Sequence, residues 1–163
     1  MRRRQTIRRI LGIQRILVKY GLDDVIKETH LLRPLRRVAG ELKRVEDAVF
    51  TEQRGPRKHA VVNKDLIGKN ASEILARAGI TSHGDPPLLV ARVPNEHPLV
   101  WTEQMMPVLP VTAVSGVDRG IELAKEAEHG FGHSAGMHSR DIDALSRMAR
   151  TINTSIFTKN GAF

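Results

Sequence analysis

Glu103 is the residue whose type and setting could do chemistry here. It follows Trp101-Thr102 and precedes Gln104-Met105-Met106-Pro107. An ionised carboxylate only accepts hydrogen bonds, so it could receive the donors of a polar ligand. Alone, such a Glu is more often an ordinary surface carboxylate. His129 and His133 stand four apart, with His138 beyond, and the spacing invites a metal reading. Gly130 and Gly132 break any helix between the first two, so no metal site is assigned. The sequence contains no cysteine. That rules out a disulfide, a thiolate zinc site and a thiol nucleophile within it, and no catalytic residue is assigned.

The elements that must position Glu103 lie in a chain of two unlike parts. Of 163 residues, 40% are hydrophobic and 27% charged, enough for one ordinary core. The net charge of +8 is unevenly placed. Residues 1–44 carry 13 Lys/Arg against 4 Asp/Glu, whereas residues 45–163 carry 13 against 14. The expected organisation is a basic amphipathic helical segment over 1–45 and a second domain over 46–163. No secretory signal is read at the start, and no apolar run approaches the ~20 residues that span a bilayer.

In the front part, Ile7, Ile10, Leu11, Ile16, Leu17, Leu22 and Ile26 recur at helical spacing, with Arg8, Arg9, Arg15 and Lys19 between them. A helix is expected from Thr6 that Gly21 interrupts or caps, a short second one capped by Asp23 or Asp24 and running toward His30, and a third over Leu35–Val45. The face could pack on its own domain, or dock on an anionic membrane surface or a partner groove. Nucleic acid is the least supported partner, since there is no stacking platform or reading helix. The run from Arg8 to Asp24, with Leu31-Leu32-Arg33-Pro34-Leu35-Arg36, weakly resembles the N-terminus of the kinase-like proteins of ubiquinone biosynthesis. No Gly-rich phosphate loop, His-Arg-Asp or Asp-Phe-Gly follows it.

Thr51–His59 is polar with a Gly55-Pro56 break and reads as a loop or linker. Behind it, a helix capped by Asn70 or Ser72 should stop at Gly79. Leu88–Val93 reads as a buried strand. Val108–Val114 reads as another, with Pro110 arguing for an edge or bulge. Asp118–His129 is a helix, Ser134–His138 a strand, Ser139–Ile152 a helix with Ile142 on its apolar face, and Thr154–Thr158 a strand. The alternation predicts an α/β fold with an incomplete, partly parallel sheet, flanking helices and an unpaired edge.

Three blocks carry a second resemblance. They are His97 to Pro107; Glu128-His129-Gly130 with His133-Ser134-Ala135 and His138-Ser139; and Asn153 to Gly161. Together with Asn63 to Ala71 they resemble the CoA-acylating aldehyde dehydrogenases, in particular the propionaldehyde and acetaldehyde enzymes of bacterial microcompartments. The resemblance covers about residues 46–163 and implies a partial aldehyde-dehydrogenase catalytic domain. It implies NAD and coenzyme A as cofactors, and an aldehyde oxidised through a cysteine thioester. Glu103 falls on the Glu of the wider superfamily's Glu-x-Phe-Gly-Pro motif, which implies a cofactor-binding role at the nicotinamide-side ribose. Phe131-Gly132 and Gly136 depart from the family pattern.

The family's cysteine and dinucleotide-binding domain are implied to lie upstream of the matched part. The expectation is therefore a fragment inactive alone. It would be cytoplasmic or microcompartment-associated, and could act as an oligomer or beside a complementing dehydrogenase subunit. The alternative is a non-catalytic module docking through residues 1–44.

Overall fold

In the computed structural model the described residues are 17–18 and 32–34, as backbone, with 40–82 and 84–161. The chain forms two compact units, residues 1–112 and 113–163. This division differs from the boundary expected near residue 45, and most of the front segment lies outside the described residues.

In chain order the first unit contains β1 (Leu17–Val18), β2 (Leu32–Pro34), α1 (Glu41–Val49), β3 (Phe50–Glu52) and β4 (Val61–Val62). A single 3-10 turn (Lys64–Leu66), α2 (Ala71–Arg77), β5 (Leu88–Arg92), α3 (Pro98–Trp101) and β6 (Val108–Thr112) follow. Strands β1, β6, β5 and β2 form one sheet in that order, and each neighbouring pair is parallel. The central strands are buried on both faces, as a covered parallel sheet requires. Leu89, Val90, Ala91, Val108 and Val111 are all buried.

Two expectations fail at this sheet. The helix read through Leu17 is extended at Leu17–Val18, where the backbone pairs with Val111 and Thr112. Leu32–Pro34 is likewise a strand, paired with Leu88–Val90. Ladder bonds to a neighbouring strand outweigh helical periodicity in so short a stretch. The second correction concerns Pro110, which lies in an inner strand rather than at an edge. Leu89 N–H donates to Pro107 O and Val93 N–H to Val111 O, both at 2.9 Å. By strand alternation the nitrogen of Pro110 therefore faces away from β5. On that side the described rungs pair Val111 and Thr112 with β1, and none of them needs the missing N–H.

α1 runs to Val49, past the Val45 end expected for it, while residues 35–39 lie outside the described set. It buries Leu42, Val45 and Val49 at helical spacing. These pack with α2, which buries Ala71, Ile74 and Leu75. Of the stretch read as a loop or linker, Thr51 and Glu52 belong to β3 and the rest is the loop to β4, with which β3 pairs antiparallel. α2 starts where Asn70 N–H donates to the Glu73 carboxylate at 3.0 Å. It ends at Gly79, whose φ of +65° suits a residue without Cβ.

The second unit contains α4 (Val117–Glu128), β7 (Ser134–Met137), α5 (Ile142–Ile152) and β8 (Ile156–Lys159). β7 and β8 are parallel, with α5 as their crossover. Ile121 of α4 meets Met148 and Ile152 of α5 in a buried cluster, against which Ala124, Ala135, Met137 and Phe157 pack. Asp141 caps α5 by accepting the Ala144 N–H at 2.9 Å. Ile142, expected on the apolar face, is 75% exposed. It sits just after the cap, where the first turn points outward, and the buried stripe starts at Ala144 and Leu145.

Candidate functional site

Glu103 sits in the turn between α3 and β6, and this turn is held from several directions. Pro98 fits the first turn of α3 because its missing N–H would have no helical partner there. Just before it, His97 caps α3, its Nδ1 accepting the Leu99 N–H at 3.2 Å. An accepting Nδ1 places the ring proton on Nε2. That Nε2–H donates to Glu46 Oε1 of α1 at 2.7 Å. Glu46 is 8% exposed, so its carboxylate depends on a partner.

Further along, Trp101 Nε1–H donates to Asn95 O at 2.6 Å, and the Asn95 carboxamide oxygen accepts the Thr112 hydroxyl. Arg57 lies over the Trp101 ring at 5.3 Å. Thr102 Oγ1 accepts the Ala60 N–H at 3.0 Å. Gln104, buried, donates from Nε2 to Leu99 O at 2.6 Å and to Thr102 O. Gly68 N–H donates to Met105 O at 3.2 Å.

Both neighbours of Glu103 are thus fixed and buried, while Glu103 itself is half-buried. Its carboxylate makes no hydrogen bond or ion pair with any described residue. A carboxylate on a fixed turn, with its lone pairs open, is ready to accept donors from a ligand. Met105 follows in the left-handed region, φ 53°, with its side chain 49% exposed.

The histidines singled out in the sequence, His129, His133 and His138, lie in the second unit. His129 ends α4 with φ 55°, edge-on to Phe131 at 6.1 Å, and His133 stacks on Phe131 at 6.4 Å. The Glu128 carboxylate accepts the Gly130 N–H at 2.9 Å and the Gly132 N–H. Among the described residues no group of three His, Asp or Glu side chains could hold a metal ion. Glu46, His97, Thr102 and Gln104 were not singled out from sequence. The His97-Pro98 step, a cap followed by Pro at the first helical position, was the available signal for one of them.

A sequence profile of the aldehyde dehydrogenase family matches residues 66–162. The chain belongs to the aldehyde dehydrogenase family. It is 45% identical over 146 residues to the acetylating acetaldehyde dehydrogenase of Salmonella typhimurium, a match covering 90% of this chain and 31% of the relative. It is 47% identical over 100 residues to the CoA-propanoylating propanal dehydrogenase of the same organism, covering 61% of this chain and 22% of that one. The chain thus spans at most about a third of these relatives' length.

Among solved structures, the propionaldehyde dehydrogenase of Rhodopseudomonas palustris, with CoA bound and its cysteine acylated, superposes with a TM-score of 0.76 at 36% identity. That match covers 90% of this chain and 32% of the other. An engineered glycolyl-CoA reductase with bound NADP+ gives the same score, identity and coverage. The resemblance to CoA-acylating aldehyde dehydrogenases read from the three sequence blocks is borne out, as is the α/β fold. Among the described residues no helix is long and apolar enough to cross a membrane.

Proposed function

We propose that this chain supplies part of the catalytic domain of a CoA-acylating aldehyde dehydrogenase, converting an aldehyde, NAD and CoA to an acyl-CoA and NADH. Glu103 is its cofactor-facing residue. Its open carboxylate, held between the buried Thr102 and Gln104, is the observation that carries the reading. The donor set fits the nicotinamide-side ribose, since two vicinal hydroxyls match one ionised acceptor. When bound, the nicotinamide supplies the hydride acceptor. This chain's contribution is to grip the ribose, orient the ring and hold the turn rigid while chemistry proceeds.

The reaction also needs a thiolate, and the sequence has no cysteine. The nucleophile therefore comes from outside these 163 residues, on a complementing dehydrogenase part with which this chain would associate. Site of action follows the relatives' chemistry, in the cytoplasm or a bacterial microcompartment. The alternative, docking through residues 1–44, gains no support from the fold. Two stretches of that segment, Leu17–Val18 and Leu32–Pro34, are strands of the central sheet.

The test is a hybrid. The matched part of the Salmonella acetaldehyde dehydrogenase is replaced by this chain's residues, and NADH formation from acetaldehyde and CoA is followed. The hybrid should turn over, and Glu103→Gln in it should raise the KM for NAD by roughly tenfold or more. The purified chain alone should form no NADH. An active isolated chain, or a hybrid whose KM for NAD ignores Glu103→Gln, would overturn the reading.

A further inference from the structure

We propose that Glu46 and His97 form a positioning pair that sets the Glu103 carboxylate, acting through the backbone of Leu99. The inference rests on the reading of Glu103 as the ribose acceptor.

Leu99 is the shared point. Its N–H is taken by His97 Nδ1, and its carbonyl is taken by Gln104 Nε2. Gln104 also grips Thr102 O, so it clasps Leu99 of α3 to Thr102, the residue just before Glu103. Leu99 itself is fully buried and cannot shift freely. His97 is anchored in turn by Glu46, which sits 51 positions earlier on α1. The chain of contacts runs from α1 to His97, to Leu99, to Gln104, and ends beside Glu103.

A simple cap does not need this arrangement. An Asn would satisfy the Leu99 N–H equally well and is among the preferred N-cap residues. His97 does something more, because its second nitrogen reaches a carboxylate on a distant helix. Burying that carboxylate is costly unless the contact is kept. The bond ties the start of α3, and with it the Glu103 turn, to a second element of the core.

The measurement uses the full chain, labelled with nitrogen-15, and four substitutions, one of them Glu103→Gln. His97→Asn keeps the cap but is too short to reach Glu46. Glu46→Ala removes the anchor from the other side, and Glu46→Gln keeps an oxygen that can accept the Nε2–H. Two readouts are taken: the amide shifts of Thr102 to Met106, and affinity for nicotinamide mononucleotide. His97→Asn and Glu46→Ala should both move these amides and weaken the mononucleotide by roughly tenfold. Glu46→Gln should rescue to within about twofold. Glu103→Gln should abolish the binding without moving the Leu99 amide.

In the unsubstituted chain the ring nitrogens of His97 should report a protonated Nε2 and a bare Nδ1. The opposite tautomer overturns the proposal without any variant. So do unmoved amides in both His97→Asn and Glu46→Ala. Mononucleotide binding that ignores Glu103→Gln overturns the ribose reading instead, and the amide shifts then still decide the pair's positioning role.

Discussion

Asn160 and Ser139 hold each other by two reciprocal bonds. Ser139 N–H donates to Asn160 Oδ1 at 2.8 Å, and Asn160 Nδ2–H donates to Ser139 O at 2.9 Å. The pair joins the segments that leave the C-terminal ends of β7 and β8, and both residues lie in stretches that resemble the acylating dehydrogenases.

Asn160→Ala removes both bonds and places a Cβ-bearing residue less suited to φ 53°. It should destabilise the protein by about 1–3 kcal/mol. Asn160→Asp keeps the acceptor and should cost less. Urea midpoints of the three proteins compare these directly, and equal losses for Ala and Asp would mean that the Ser139 N–H bond contributes nothing.

Met105 also has positive φ, at 53°, and leaves half its side chain in solvent. Left-handed backbone costs an L-residue about 1–2 kcal/mol, which glycine avoids at some entropic cost. Met105→Gly should therefore raise stability by about 0.5–1 kcal/mol. A lower melting midpoint would show that the Met105 side chain packs more than its exposure implies.

The Glu73 carboxyl is held below its ordinary range, first by the Asn70 N–H and then by the Lys69 ammonium. A carboxyl with a lowered folded pKa contributes stability that is complete above its unfolded pKa. That contribution is lost as pH falls through the folded value. Glu73→Gln should therefore lower the urea midpoint near pH ~7 and converge on the parent near pH ~2. An offset that stays constant over that range would assign the loss to something other than this ionisation.

Ile152 is 3% exposed and closes the cluster with Ile121 and Met148. Ile152→Ala should cost about 2–4 kcal/mol, since the lost methylenes leave a cavity between two helices. Ile142→Ala, at the exposed start of the same helix, should stay within about 0.5 kcal/mol. Denaturant unfolding of both variants separates the buried face from the exposed one.

The interior of the sheet was legible in the sequence because Leu88–Val93 is apolar on both faces and bounded by prolines. The helix end at Gly79 was legible because its chemistry is local. The strands at Leu17–Val18 and Leu32–Pro34 were not, since their pairing partners stand far along the chain. Pro110 misled for a related reason: its tolerance depends on which residues pair with β1. At the candidate site, Glu103 was read from flanking residues alone. Its supports were hidden because the Glu46–His97 contact spans 51 positions and carries no periodic trace.

Both outer strands of the four-stranded sheet precede the inner pair in the chain. During synthesis, β1 and β2 leave the ribosome before their sheet partners in residues 88–112. Their backbone donors and acceptors wait in water, open to the wrong neighbour. Assembly is therefore paced by late-arriving central residues, and polypeptides released before Thr112 should be the ones that aggregate.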